Sequence, residues 1–384
     1  MFFEEKTKSE IEFNSSDSLT LGVEIELQII DRNSLNLTPK FDELFSACES
    51  PKRLEAEFYL STAEINTSQK CNNVGEVEVD FNKSIDQIIR ASENIGVELA
   101  TTGCHPFSRY ADCVITPSKR YNELIDRNQW LTRRMTVYGL HVHLGMKSGD
   151  DFVRFNNFFF YFLPHLLALS ASSPFWQGEN TGLSACRPTT YESLPTAGQP
   201  YKVKNWNEFE SLYGSLKKCK AIDSMKDLWW DMRPSPRLGT LEIRVCDGCA
   251  TLEETLAIVA LVHLLAAWFE ENGAWIDRFQ APLHWIIREN KWRAIRHGLD
   301  AELITCQEGK TKPIRQDISD WVEKLAPLTK KFGYEKYINN LCEILEKGNS
   351  TTRQLKVFEK TNSLQEVVKF NIAEFKNRKP IWNF

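Results

Sequence analysis

Three short segments of the chain alternate between apolar and polar residues, which is the period of a β-strand that buries one face. These segments cover residues 21–29, 140–144 and 241–245. Longer segments repeat apolar residues at three and four positions, which is the period of a helix with one buried side. These helical segments lie near residues 152–172, 253–271, 317–326 and 336–347. The mixture predicts an α+β fold.

Two helix starts depend on local signals. The segment 72–95 is ambiguous, because residues 75–79 alternate like a strand while isoleucines further on recur at helical spacing. We predict a helix there after about residue 80. The helix near residue 253 follows Thr251, with Glu254 three positions later, which is the signature of a capping box.

The longest apolar stretch, residues 256–269, is shorter than the roughly 20 residues that a membrane-spanning helix needs, and it contains His263. A buried core helix is therefore expected. The first 13 residues carry charges and have no apolar stretch of the kind that precedes an export cleavage site, so a cytoplasmic protein is expected.

Charge and cysteine content narrow the partners and the compartment. The chain has 47 basic and 52 acidic residues, a formal net charge of -5, so we expect neither nucleic acid nor a membrane surface as partner, but a small molecule. Ten cysteines without an export signal are typical of reduced thiols. Cys246 and Cys249 form a C-x-x-C pair, for which a zinc or redox role is the alternative to two buried structural thiols.

No repeat, linker or low-complexity tract divides the chain. We therefore expect one domain over residues 1–384, in which residues 330–384 form a C-terminal helical extension that matches no motif.

The polar faces of the three predicted strands carry acids, histidines and an arginine. Alternate residues of a strand project on the same face ~6–7 Å apart. The pairs that share a face are Glu24 with Glu26, His141 with His143, and Glu242 with Arg244. Each pair alone also fits a solvated strand face, ordinary structural histidines or a cross-strand ion pair. The repetition on three strands favours a site for metal and phosphate.

Two further acids, Glu57 and Glu64, lie seven positions apart in the segment that follows the first strand. Their spacing alone is a weak signal, but together with the strand glutamates and one histidine they would supply ligands for a pair of Mg²⁺ ions. The chain has no G-x-x-x-x-G-K-[ST] loop and no G-x-G-x-x-G fingerprint, so a nucleotide would be held by metals and side chains.

Five motifs together resemble those of the type 2 glutamate-cysteine ligases. They are GVEIE at 22–26, EFYLSTAE at 57–64, GCHPF at 103–107, HVHLG at 141–145 and RPSPRLGTLEIRV at 233–245. The resemblance implies a glutamine-synthetase-like catalytic fold, in which a curved antiparallel sheet forms an open half-barrel backed by helices. It also implies an ATP-dependent ligase that joins a carboxylate to an amine through an acyl phosphate, and a homodimer.

The resemblance also implies roles for individual residues. One magnesium ion, for which manganese could substitute, would be held by Glu26, Glu57 and Glu64. The other would be held by Glu24, His141 and Glu242. His143 would bind a nucleotide phosphate, and Arg233 and Arg244 would act on the transferring phosphoryl group. The implied substrates are glutamate or a similar carboxylate and cysteine or another amine, with the physiological amine left open.

Two other functions are compatible with the same residues. A phosphotransferase could phosphorylate a carboxylate or a guanidino group without forming an amide, and an ATP-binding regulatory protein could have lost turnover. The regulatory alternative is disfavoured because every acid of the metal cluster is present in the chain.

Overall fold

The computed structural model describes residues 11–49, 53–272 and 282–383. The expectation of no export signal concerns the first 13 residues, of which residues 1–10 lie outside these ranges.

Within the described ranges the strands and helices alternate irregularly along the chain. The strands are β1 (Leu21–Asp31), β2 (Leu54–Ala56), β3 (Thr62–Asn66), β4 (Val97–Ala100), β5 (Gly139–Gly145), β6 (Phe175–Trp176), β7 (Glu179–Asn180), β8 (Ala197–Gly198), β9 (Trp229–Trp230), β10 (Met232–Ser235), β11 (Thr240–Asp247), β12 (Glu302–Ile304) and β13 (Thr311–Pro313). The helices are α1 (Phe41–Ala47), α2 (Val74–Asn94), α3 (Lys119–Asn128), α4 (Trp130–Arg133), α5 (Gly149–Phe159), α6 (Leu163–Ser170), α7 (Arg187–Tyr191), α8 (Trp206–Lys218), α9 (Leu252–Glu271), α10 (His284–His297), α11 (Ile314–Phe332), α12 (Glu335–Lys347), α13 (Ser350–Thr361) and α14 (Leu364–Asn377).

Seven of the described strands form one antiparallel sheet. Its order is β10-β11-β5-β1-β3-β2, and β4 pairs with the C-terminal part of β1. The three strands predicted from alternation are β1, β5 and β11, and they lie side by side in the sheet. The predicted α+β fold is confirmed.

One face of this sheet borders the hydrophobic core. Leu21, Val23 and Leu27 of β1 are fully buried, as are Leu140 and Val142 of β5. Helices α2, α5, α6 and α9 contact the central strands of the sheet. Because side chains alternate along a strand, burying the apolar face against these helices directs the polar residues to the opposite face.

The long apolar helix α9 is a core helix, as expected. It has the length and composition of a membrane span, but 94% of its most apolar window is buried inside the protein. The hydroxyl of Thr251 accepts a hydrogen bond from the backbone N–H of Glu254 at 3.2 Å, so the predicted N-cap is confirmed.

The predicted start of α2 near residue 80 is wrong, because the helix already begins at Val74. The side chain of Asn73 caps it by accepting a hydrogen bond from the N–H of Glu76 at 3.0 Å. Val74 and Val77 are fully buried three positions apart, whereas Val79 is 72% exposed. The strand-like alternation was therefore the first turn of an amphipathic helix.

The C-terminal helices α13 and α14 are joined to the core by a buried ionic cluster. Arg353 on α13 is fully buried and pairs with Glu254 of α9 at 2.9 Å and with Glu374 of α14 at 2.6 Å. Removing a charge from water costs free energy unless an opposite charge is paired with it. These three residues therefore stabilise the protein only when all of them are present.

We expect Arg353→Met to lower the free energy of unfolding by ~3–5 kcal/mol, because two buried carboxylates would lose their cation. The control is Lys369→Met, since Lys369 pairs with Glu366 at 2.7 Å on the exposed side of α14. This second loss should be within ~1 kcal/mol. Urea unfolding of both variants measures the difference, and equal losses would contradict the assignment of Arg353 as a core ion pair.

Candidate active site

The strand register gathers the predicted polar residues on the face of the sheet that points away from the core helices. Residues that lie directly opposite each other on neighbouring strands are Glu26 and Glu64, Glu24 and His141, His143 and Glu242, and Glu242 and Arg233. The side chains that the sequence placed on three separate strands are therefore cross-strand neighbours.

A first group of potential metal ligands consists of Glu24, His141 and Glu242, whose ligand atoms lie within 4.8 Å of one another. The Nδ1 atom of His141 lies 2.9 Å from Glu24 Oε2, whereas its Nε2 atom is buried without a hydrogen-bond partner among the described residues. Burial, and then the charge of Arg244, lowers the pKa of His141 to about 4. The imidazole is therefore neutral and offers a free nitrogen, as a metal ligand does.

A second group consists of Glu26, Glu64 and the same His141. Burial and then the neighbouring carboxylate of Glu57 raise the pKa of Glu26 to about 7. Burial and then Glu24 raise the pKa of Glu64 well above its usual value. Like charges are crowded here, and a bound cation would relieve that repulsion.

Glu57 lies between β2 and β3, outside any strand. Its carboxylate is not part of either close group, but it lines a pocket together with Glu26 and Arg244. The structure thus places Glu57 at the edge of the carboxylate cluster and not at its centre.

The positive charges lie at the β11 side of the cluster. Arg233 donates to Glu242 through Nε at 2.7 Å and through Nη2 at 3.1 Å, and Arg244 donates to the same carboxylate. Burial alone would raise the pKa of Glu242, but Arg233 and Arg244 outweigh it and hold the pKa well below its usual range. Glu242 is therefore ionised and is held by two arginines.

His143 lies next to this arginine pair. Its Nε2 atom is 3.0 Å from Glu24 Oε1, and its Nδ1 atom is 2.9 Å from the hydroxyl of Thr240. Burial would lower the pKa of His143, but the charge of Glu24 outweighs it and raises the pKa. The two histidines of β5 therefore differ: His141 is neutral, whereas the raised pKa of His143 favours its protonated form.

A β-bulge alters strand β11 at the site. The register with β5 shifts between Ile243 and Cys246, so that Arg244 has no regular partner on β5. Bulges of this kind redirect a side chain and increase the local twist.

Cys246 and Cys249 are buried at 0% and 2% exposure, as expected for structural thiols.

A pocket opens beside the carboxylate cluster. Its mostly apolar wall is formed by Phe58, Tyr59, Met135, Val137, Trp229 and Trp230. Its charged wall contains Glu26, Glu57, Arg244 and Arg187.

The sequence pattern did not assign Arg187 to the site. The polar segment that contains Arg187, Tyr191 and Lys202 could bind substrate carboxylates or form a solvated loop, and its composition favours the loop. In the structure Arg187 and Tyr191 lie on α7, and each is only 5% exposed. Lys202, from the same polar region, is exposed and is not among the residues that line the pocket. A helix of five residues is too short to show a hydrophobic period, so the sequence pattern could not indicate that Arg187 points into the site. The signal that it did contain was an arginine followed by proline, which is typical of a helix start.

The guanidinium of Arg187 is buried without an ion pair among the described residues. Both of its terminal nitrogens lie 3.3 Å from the carbonyl oxygen of Arg244, and its Nε atom has no partner within the described part of the chain. Gly139 makes room for it, because a Cβ atom at that position would lie 2.3 Å from Arg187 Nη2. Its charge acts on Asp247 and Glu26, but neither carboxylate forms an ion pair with it. A buried cation that faces a pocket without a paired carboxylate is typical of an anion-binding residue.

Comparison with known proteins identifies the family of this chain. The model of the family described as "Glutamate-cysteine ligase family 2(GCS2)" matches residues 20–370. A relative from Bdellovibrio bacteriovorus, named "Putative glutamate--cysteine ligase 2", is 44% identical over 93% of this chain and 95% of its own length. A relative of the same name from Thermobifida fusca is 39% identical over 96% of this chain and 94% of its own length.

Two solved structures share the fold at low sequence identity. The bifunctional glutathione synthetase from Pasteurella multocida superimposes with a TM-score of 0.64 at 15% identity, covering 94% of this chain and 52% of that protein, so the chain spans about half its length. The glutamate-cysteine ligase from Francisella tularensis in complex with AMP gives a TM-score of 0.63 at 11% identity, covering 97% and 91%. The family match over most of its length and the two relatives show that this chain belongs to glutamate-cysteine ligase family 2, a family of ATP-dependent carboxylate-amine ligases.

Proposed function

We propose that the protein joins the carboxylate of glutamate to the amino group of cysteine, or of another small amine, through an acyl phosphate made with ATP. The observation that carries this proposal is the set of four glutamates, one neutral histidine and two arginines on one sheet face, beside a pocket whose wall adds Glu57. The AMP in the related Francisella structure supports the use of an adenine nucleotide.

The residues of the cluster fit two divalent cations. We propose that Glu26, Glu57 and Glu64 hold one Mg²⁺ or Mn²⁺ ion, and that Glu24, His141 and Glu242 hold the other. The free buried Nε2 atom of His141 and the close approach of the carboxylates of Glu26 and Glu64 support these donors, because hard divalent cations prefer carboxylate oxygens and accept one imidazole. Glu57, at the edge of the cluster, would complete the first set from the pocket wall. When bound, such ions would lower the repulsion between an anionic nucleophile and the phosphates of ATP.

Side chains of this chain would do the remaining work on the phosphates. His143 would donate a hydrogen bond to a nucleotide phosphate, and Arg233 and Arg244 would donate to the equatorial oxygens of the transferring group. Both arginines already bind Glu242, so their guanidinium planes are oriented before a phosphate arrives. Preorganised donors of this kind favour the transition state without rearrangement.

The pocket would hold the substrates. Arg187 is the cation in its wall that has no carboxylate partner among the described residues, and we propose that it binds a substrate carboxylate. The apolar wall around Met135 and Val137 would exclude water from the acyl phosphate, so that an amine and not water captures it.

Three further features are proposed, two from the sequence pattern and the homodimer from the family resemblance. The chain would act as one catalytic unit over residues 1–384, with residues 330–384 as a helical extension. It would be cytoplasmic and would form a homodimer.

The function is tested by phosphate release from MgATP with glutamate, with and without a panel of amines that includes cysteine. Each active mixture is examined by mass spectrometry for a new amide. An amide formed only with a given amine would establish the ligase and its substrate. Phosphate or a phosphorylated carboxylate without an amide would favour a phosphotransferase, and no turnover with any amine would refute the proposed reaction.

We expect Glu26→Gln and Glu242→Gln each to lower kcat by ~100-fold or more, because each removes a charged ligand from a cation that stabilises the transition state. The control is Glu98→Gln on β4, since Glu98 pairs with Arg32 and Lys376 outside the cluster. The same samples are heated with and without MgCl₂, which should raise the Tm of wild type and of the control more than that of either cluster variant. Wild-type rates in both cluster variants would refute the metal assignment.

We expect Arg244→Lys to lower kcat by ~100-fold, because an ammonium group cannot offer the planar pair of donors that a phosphoryl group requires. Steady-state kinetics with MgATP measures the loss. Arg154→Lys serves as control, since Arg154 pairs with Asp151 on the surface of α5. Unchanged kinetics in Arg244→Lys would move the phosphoryl role to Arg233.

A further inference from the structure

A buried lysine lies behind the charged wall of the pocket and has no part in the chemistry described so far. Lys291 on α10 is 3% exposed, and its Nζ atom lies 2.6 Å from each carboxylate oxygen of Asp231. It also donates to Glu192. Burial alone would lower the pKa of Lys291, but Asp231 and Glu192 outweigh it and raise the pKa, so the lysine is charged.

Asp231 connects this ion pair to the pocket through its side chain. It is fully buried, and its Oδ1 atom accepts a hydrogen bond from the hydroxyl of Tyr191 at 2.7 Å. Tyr191 lines the pocket, and the guanidinium carbon of Arg187 lies 5.0 Å from the centre of its ring. Lys291 thus reaches Tyr191 through Asp231, and its Nζ atom also lies 5.6 Å from the centre of the same ring.

The backbone of Asp231 makes a second connection. Its carbonyl oxygen accepts a hydrogen bond from the N–H of Arg244 at 2.7 Å, and its own N–H donates to the carbonyl of Gly198 at 2.8 Å. The carbonyl of Arg244 in turn accepts from Arg187. The bond between the Arg244 N–H and the Asp231 carbonyl extends the β10–β11 pairing by one position beyond Met232 and Ile243. With the carbonyl of Arg244 bound by Arg187, both peptide groups of Arg244 are paired.

Stability alone is a poor account of this cluster. A buried ion pair gives little net stabilisation, because removing both charges from water costs about as much as their attraction returns. The pair nevertheless holds, through two separate routes, the two arginines of the pocket wall. A displacement of ~1 Å in such groups is enough to lower a rate by ~100-fold.

We propose that Lys291 and Asp231 are positioning residues, whose ion pair sets the orientation of Arg187 through Tyr191 and of Arg244 through the Asp231 carbonyl. The kinetic part of this inference rests on the proposed function of the pocket. Its structural part concerns only where the two guanidinium groups lie.

The test compares Lys291→Met, which strands the Asp231 charge, with the double variant Lys291→Met/Asp231→Asn, which removes both charges. The double variant should recover most of the Tm lost by the single one, because the fully buried Asp231 no longer carries an unpaired charge, whereas Glu192 is 33% exposed and lies near the charge of Arg288. Its kcat/KM with MgATP and glutamate should stay ~10- to 100-fold below wild type, because no ion pair fixes the arginines. Lys312→Met is the control, since Lys312 pairs with Asp317 and Asp320 at the start of α11 and should affect Tm alone.

Crystal structures of wild type and of the double variant supply a readout that does not depend on turnover. We expect the Arg187 and Arg244 guanidinium groups to move by ~1 Å or more in the variant. Unmoved guanidinium groups, or wild-type kcat/KM in the double variant, would overturn the proposal. A wild-type protein without ligase activity would instead refute the proposed function, and the two structures would still decide the positioning role.

Discussion

Buried carboxylates of like charge on one face of an antiparallel sheet are the constraint on which the rest of this site depends. Glu26 and Glu64 lie directly opposite each other on neighbouring strands, an arrangement that is normally destabilising. Their raised pKa values report the same repulsion, added to the cost of burial. Positive charge close to this face lowers the repulsion between the carboxylates. Strands β10 and β11 supply such charge through Arg233 and Arg244.

The positive charge is arranged in two layers. Arg233 and Arg244 bind Glu242 at the surface of the site, and Lys291 pairs with Asp231 behind the pocket wall. The backbone of the sheet is held in place, because its other face is packed against α2, α5, α6 and α9. Functional groups on a rigid sheet whose second face is core keep their geometry, which is what phosphoryl transfer requires.

The features that could be predicted were those with a local period or a local motif. The strands β1, β5 and β11 were recognised because apolar residues alternate with polar ones over most of their length, and the core helix α9 because its continuous apolar stretch is too long for a strand. The start of α2 was misjudged because five residues are too few to separate the two periods. Arg187 and Lys291 were missed as site residues because each stands on a helix whose own pattern says nothing about a distant pocket.

The sequence by itself determined the three central strands, the common face of each polar pair on them, and the family to which the chain belongs. Side-chain direction along a strand depends only on alternation, so these properties are local. The tertiary structure alone decided that Glu26 lies opposite Glu64, that a bulge leaves Arg244 without a regular partner on β5, and that Lys291 pairs with Asp231. Register and buried ion pairs depend on residues that are remote in sequence, and no local period records which of them will meet.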